Sequence, residues 1–114
     1  LGEALAATDL PYDLRIRHGR ARERFIRLAE AVQSVRILGS AALELVAVAA
    51  GELELYANEG CKAWDLCAGA LVLAEAGGRL TAESGEPLDL LAPGPFLASN
   101  GILHEAALGV LSDP

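Results

Sequence analysis

A chain of 114 residues suits one domain, and at 53% hydrophobic with only 4% aromatics its core must be built mainly from Leu, Ala and Val. The net charge of −7 argues against nonspecific binding to nucleic acid or to an anionic membrane. No apolar run reaches transmembrane length, and no signal peptide is visible. Cys61 and Cys67 belong to no CxxC pair and to no His-rich cluster, so they read as reduced, small core residues of a cytoplasmic protein rather than as a disulfide or a zinc site. The chain begins with Leu1 and holds no methionine, and the simplest reading is a piece of a longer protein.

In chain order, Leu5-Ala6-Ala7-Thr8 is a short strand candidate closed by Asp9-Leu10-Pro11. From residue 20 to about 32, Ala21, Phe25, Leu28, Ala29 and Val32 fall on one helical face, with Arg20, Arg24 and Arg27 opposite. With Arg15, Arg17 and Arg22, this segment holds six of the nine basic residues, either as a solvated face or as a rim for an anionic substrate or acidic partner. Ser34–Leu38 reads as a strand. Gly39-Ser40 opens a helix through about Ala50, with Gly51 as its C′ stop. Leu53–Tyr56 is the next strand, and Asn58–Ala63 a polar loop into a helix that ends at Gly77-Gly78. Arg79–Thr81 and Pro87–Leu90 flank a Glu83-Ser84-Gly85-Glu86 turn as a hairpin. Phe96–Ala98 is a buried strand, and Asn100 caps a last helix carrying Ile102, Leu103, Ala106, Ala107, Val110 and Leu111 at helical spacing. Alternating strands and helices predict an α/β domain, a layered sandwich in which a mixed sheet is flanked by helices.

Chemistry concentrates at two helix starts. The helix from Trp64 carries Leu66, Ala68, Leu71, Val72, Leu73 and Ala74, which predicts burial on all sides. A carboxylate at its start, Asp65, then needs a partner, because an unpaired ion in an apolar setting is costly. Backbone N–H groups of the first turn are one partner, making Asp65 a structural cap; a metal ion is the other. Gly39-Ser40-Ala41-Ala42 sits where strand becomes helix and presents free N–H groups, either as an ordinary Ser-capped connection or as an anion cradle. An Mg²⁺-assisted phosphoester site needs both a cradle and metal-binding oxygens, and more carboxylates than Asp65. Glu75 lies about 15 Å down the helix, too far to share a metal. Glu44, inside an apolar helix, is expected to pair locally, and His18 and His104 read as surface or helix residues rather than catalytic bases.

Gly39-Ser40-Ala41-Ala42, Val48-Ala49-Ala50-Gly51, Trp64-Asp65-Leu66-Cys67-Ala68-Gly69, Glu75-Ala76-Gly77-Gly78, Pro87-Leu88 and Leu97-Ala98-Ser99-Asn100-Gly101 together resemble the C-terminal half of the inositol monophosphatase family, over essentially the whole chain. The resemblance implies half of a layered αβαβα fold and a Mg²⁺-dependent, lithium-sensitive phosphomonoesterase, acting on inositol phosphate or a similar sugar or polyol phosphate. It implies that Asp65 ligates metal and meets the substrate, and that Gly39, Ser40 and Ala41 contact the phosphate and ring. Asn58 falls where inositol-specific members carry a glutamate for an inositol hydroxyl, Glu59 stands beside it as a partial substitute, and Lys62 lies in the same substrate-lining loop. The family's other metal carboxylates belong to an Asp-Pro-x-Asp-Gly-Thr-type motif that this chain lacks. Residues 1–114 are therefore expected to be a C-terminal domain without its N-terminal catalytic half, inactive alone, in a cytoplasmic, homodimeric enzyme. The competing expectation is a non-catalytic dimerisation or partner-binding module.

Overall fold

The structure is a computed structural model describing residues 1–9 and 19–112. Leu10, Pro11, Arg15, Arg17, His18 and the side chain of Arg20 lie outside the described residues, and so do the expectations attached to them. The elements are β1 (Leu5–Thr8), α1 (Gly19–Ala31), β2 (Ser34–Arg36), α2 (Ala41–Ala49), β3 (Leu55–Asn58), α3 (Ala63–Glu75), β4 (Arg79–Ala82), β5 (Phe96–Ser99) and α4 (His104–Ser112).

The five strands form one mixed sheet in the order β2-β1-β3-β5-β4. β1 runs parallel to β2 and β3, while β5 runs antiparallel to β3 and β4. Side chains alternate across a strand, so each strand feeds two cores. Ala6, Leu55, Ala57 and Leu97 face one side, with Leu28 of α1 and Ala107, Leu108 and Leu111 of α4. Ala7, Tyr56, Phe96 and Ala98 face the other, with Leu45 and Val48 of α2 and Leu66 and Leu73 of α3. The result is three layers, helix pair on sheet on helix pair, as the alternating pattern predicts.

Several boundaries differ from the sequence reading, each for a local reason. β2 ends at Arg36 because Ile37 and Leu38 leave the sheet edge and are exposed. β3 begins at Leu55 rather than Leu53, because the N–H groups of Glu52 and Leu53 bond back to the Ala47 carbonyl and finish α2. The hairpin's second strand shrinks to a single Thr81–Pro87 bridge, since proline has no N–H to continue a ladder; β5 is the partner of β4 instead. Asn100 does not cap α4. Its Oδ1 accepts from the N–H groups of Ile102 and Leu103, a turn that precedes the helix start at His104.

The helix ends follow the glycines. Gly77 adopts φ +85, and the Gly77 and Gly78 amides donate to the Ala74 and Leu73 carbonyls, closing α3 as a Schellman motif. Gly51 and Glu52 close α2 in the same way through Val48 and Ala47.

α3 is not buried on all sides. Leu66, Gly69 and Leu73 form its buried line, while Trp64 is 80% and Leu71 64% exposed. With Leu43 and Val46 of α2, these residues leave an apolar surface on the outer face of the α2/α3 layer. Cys67 also lies on the exposed part of α3 and Cys61 is half-buried, so only Cys61 packs against the core; both thiols are free.

Candidate active site

Because β1, β2 and β3 are parallel, their carboxyl ends share one edge of the sheet, the edge at which α/β folds place ligands. Three features of this chain meet there: the 37–40 turn from β2 into α2, Asp9 after β1, and the loop from Asn58 into α3.

The turn is built for its sequence. Gly39 takes φ +78, and no atom lies within 4 Å of where its Cβ would stand, so its backbone is open to an approaching group. Ser40 is the N-cap of α2, its Oγ accepting the Leu43 N–H at 3.2 Å. Ala41 is the first helical residue and adds no bulk. On the other side, Lys62 stands at the N-cap position of α3, and Asp65, in its first turn, is exposed. Asp65 Oδ2 accepts the Lys62 N–H at 3.1 Å, and the Asp65 N–H donates to the Lys62 carbonyl at 2.9 Å. The cap thus occupies one carboxylate oxygen, and Oδ1 makes no hydrogen bond among the described residues. Both of the roles open to Asp65 on sequence grounds are therefore compatible in one side chain.

The two helix starts are held in register because α2 and α3 pack at a glycine: Gly69 faces Leu45 with no space for a side chain. Both helices rest on the Tyr56–Phe96 side of the sheet, where the two rings meet edge-on at 5.4 Å.

Asn58 is committed internally. Its Nδ2 donates to Asp9 Oδ2 at 3.3 Å and to Tyr56 Oη at 2.6 Å, and its Oδ1 accepts the Gly60 N–H. Glu59 does not stand in for it. It forms an ion pair with Arg24 of α1, whose Nε also bonds Glu83 Oε1 at 2.8 Å after β4. Arg24 is only 13% exposed, so it is a clamp between layers rather than part of a solvated basic face. Charge from Glu59 and Glu83 more than offsets the desolvation of the guanidinium and raises its pKa.

Two further departures concern titratable groups. Glu44 does not pair locally: it is fully buried, and neither of its carboxylate oxygens has a hydrogen-bond partner among the described residues. Burial first, then the neighbouring Asp9, pushes it up to about 8. His104 is a helix residue, the first of α4, as one of its two readings has it, but it does not lie at the surface. It is fully buried, with Thr81 Oγ1 at 2.8 Å from Nε2 and Ser99 Oγ at 2.7 Å from Nδ1, and burial lowers its pKa. Sequence spacing carries no trace of either arrangement, since Asp9 and Glu44, or Thr81 and His104, meet only through the sheet.

A metal ion requires several oxygen ligands, and Asp65 offers one free carboxylate oxygen. No group of three or more His, Cys, Asp and Glu residues that could hold a metal occurs among the described residues. The described residues therefore do not by themselves fit a resident metal, and any ion that Asp65 binds needs ligands from outside them. No described helix is long and apolar enough to cross a membrane.

Comparison with known proteins bears on the same residues. A family model described as the inositol monophosphatase family matches residues 3–113. An inositol-1-monophosphatase of Synechocystis is 38% identical over 105 residues, covering 92% of this chain and 36% of that protein. The solved inositol monophosphatase of Anabaena superposes with a TM-score of 0.90 at 38% identity, over 96% of this chain and 43% of that one. A structure of SaIMPase-II with inositol monophosphate bound gives a TM-score of 0.81 at 30% identity, over 97% and 43%, and the same enzyme is also solved with 2′AMP. The chain thus spans less than half the length of the relatives it matches.

Proposed function

This chain belongs to the inositol monophosphatase family, and we propose that it is the C-terminal domain of a phosphomonoesterase, one half of an active site whose other half lies in a preceding domain. The observation that carries this reading is the pairing of two open helix starts on one sheet edge, one with exposed backbone and one with a carboxylate oxygen left free by its own cap.

Within that site Gly39, Ser40 and Ala41 hold the phosphate at the positive end of α2, where an anion is stabilised, Gly39 and Ala41 through backbone N–H groups and Ser40 through its hydroxyl. Asp65 would contribute one carboxylate oxygen to a divalent cation such as Mg²⁺ whose other ligands come from the preceding domain, and it faces the ester side of the substrate. Lys62, exposed beside it, adds positive charge next to the anion. The chemistry such a cation would supply there is neutralisation of the charge developing on the phosphate. Asn58 holds the loop through its bonds to Asp9, Tyr56 and Gly60 rather than reaching for a substrate hydroxyl. This departs from the glutamate of inositol-specific members and favours a broader range of phosphorylated polyols and sugars. Ligands of both kinds, inositol monophosphate and 2′AMP, occupy the relative SaIMPase-II.

The missing half also accounts for the apolar outer face of α2 and α3. Trp64, Leu71, Val72, Leu43 and Val46 form a surface of the kind that packs against another layer. We assign that layer to the preceding domain, with a homodimer forming from the complete protein. Two free thiols and a phosphorylated polyol substrate suit the cytoplasm. The competing reading, a non-catalytic partner-binding module, draws on the same apolar face and on the internally bonded Asn58, but gives no role to the open Gly39 turn or the free Asp65 oxygen. Mg²⁺-dependent turnover on joining an N-terminal half separates the two; a folded chimera without turnover favours the module.

A further inference from the structure

We infer that Glu44 is a positioning residue for the turn that opens α2, and that it holds this place as a neutral acid whose proton is shared with Asp9. The structural part stands on its own, while its bearing on substrate rests on the proposed role of the Gly39–Ala41 turn.

Three buried side-chain atoms lack any hydrogen-bond partner among the described residues: Asp9 Oδ1, Glu44 Oε1 and Glu44 Oε2. Orphaned carboxylate oxygens are costly, and three in one place call for a common cause. All three belong to two facing side chains, one at the carboxyl end of β1 and one on the first turn of α2. A single proton answers for two of them at once: Glu44 O–H donates to Asp9 Oδ1. The Glu44 carboxyl also faces backbone N–H groups of Leu38 and Ser40, which pull its pKa downward without reaching full hydrogen-bond geometry.

The rest of the network fits one negative charge and not two. Asp9 Oδ2 accepts from Tyr56 Oη at 3.0 Å and from Asn58 Nδ2 at 3.3 Å, so the charge is best placed on Asp9. Among the described residues the other titratable groups facing the pair are Tyr56 and Cys61, and burial raises both, so each stays protonated at neutral pH. Asp65, at the start of the helix packed beside α2, raises the pKa of Cys61 but is not among the groups that shift Glu44. No cation among the described residues approaches Glu44, so a second full charge there would stand against Asp9 in an apolar core.

The consequence is a link between two parts of the site. Leu38 and Ser40 flank Gly39, the open residue of the turn, while Asn58 begins the loop that leads to Lys62 and Asp65. Glu44, Asp9, Tyr56 and Asn58 connect them through one polar chain, buried at Glu44 and Tyr56 and half-buried at Asp9 and Asn58. With Glu44 protonated its O–H ties the first turn of α2 to β1; with Glu44 ionised that tie gives way to repulsion from Asp9, while the Leu38 and Ser40 N–H groups hold the carboxylate more strongly than the acid.

The experiment is carboxyl ¹³C NMR on the Asp/Glu-labelled chain, with amide exchange read at Leu38 and Ser40. We expect one carboxyl to titrate at about 8 and to vanish from that range in Glu44→Gln. Protection of the Ser40 amide, corrected for intrinsic rates, should rise at least about tenfold in the parent between about pH 7 and pH 9 and stay level in Glu44→Gln. Asp9→Asn is a second, independent variant: without the Asp9 charge, Glu44 should titrate at least about one unit lower. Ordinary acidic titration of every carboxyl, or a titration near 8 that survives Glu44→Gln, overturns the proposal, as does a Ser40 amide indifferent to both variants. None of these readouts uses turnover, so they stand apart from any failure of the phosphatase reading.

Discussion

Gly69 of α3 and Leu45 of α2 occupy adjoining space so closely that a Cβ on Gly69 would stand 2.7 Å from Leu45 Cδ1 and 2.9 Å from Leu45 Cβ. The second distance matters more, because Leu45 Cβ is fixed to the helix backbone and cannot swing aside. Gly69→Ala should gain about 1 kcal/mol in helix propensity but lose about 1–3 kcal/mol to overpacking. The expected net result is destabilisation of about 1 kcal/mol, the middle of that balance, read by urea denaturation. It should also separate the two helix starts that the proposed site needs together. A variant as stable as the parent would mean that α2 and α3 slide freely past one another.

Arg24 offers a sharper stability test. It joins Glu59 and Glu83 from two different loops with little exposure to solvent. Arg24→Met keeps the aliphatic stem and leaves two partly buried carboxylates without their shared cation. A loss of about 2–4 kcal/mol is expected, the range for removing one member of a poorly solvated charge cluster. Replacing Glu59 and Glu83 by Gln as well should recover part of it. Equal losses in the single and triple variants would show that the clamp works by packing alone.

His104 predicts how stability depends on pH. Its folded pKa is lowered, first by burial and then by Arg79. Below the ordinary histidine value the unfolded chain takes up a proton that the folded chain refuses, so this contribution is intact above about pH 6.5 and lost as pH falls below it. Thermal unfolding should show a decline between about pH 7 and pH 5 that is flattened in His104→Gln measured against its own neutral-pH value. An unchanged slope would assign the decline to other groups.

The outer face of α2 and α3 should make the isolated chain self-associate. Light scattering over rising concentration is expected to give an increasing mean mass, and Leu71→Glu with Val72→Lys should reduce it. Both residues point away from the buried Leu66–Gly69–Leu73 line, so folding should survive the change. A monodisperse monomer at high concentration in the parent would contradict the assignment of that face to a missing layer.

What the sequence made legible was whatever is local. Periodicity located α1 from Ala21, Leu28 and Val32, and Gly51 and Gly77 marked two helix ends through the φ that each turn demands. The Gly39-Ser40 and Trp64-Asp65 elements were readable because each is a contiguous stretch whose chemistry follows from being at a helix start. Composition overreached on α3: Leu71 and Val72 are as apolar as Leu66, and only packing decides which of them is covered. Arg24, Glu44, Asp9 and His104 were misread or passed over because their partners lie far away in sequence, such as Glu83 for Arg24, and no spacing rule links residues that meet across a sheet. Glu59 was a special case, since its proximity to Asn58 in the chain suggested a shared role that Arg24 forecloses.

The decisive measurement is phosphate release by a chimera joining this chain behind the N-terminal portion of the Synechocystis relative, assayed on inositol 1-phosphate with and without Mg²⁺, for the parent and for Asp65→Asn. Asn keeps an acceptor for the Lys62 N–H, so the cap and the melting temperature should hold. Mg²⁺-dependent turnover that falls at least about a hundredfold in Asp65→Asn, at unchanged melting temperature, is the expected result. A folded chimera whose turnover is absent, or is the same with Asp65 and with Asn, would contradict the phosphatase reading and leave Asp65 as a helix cap.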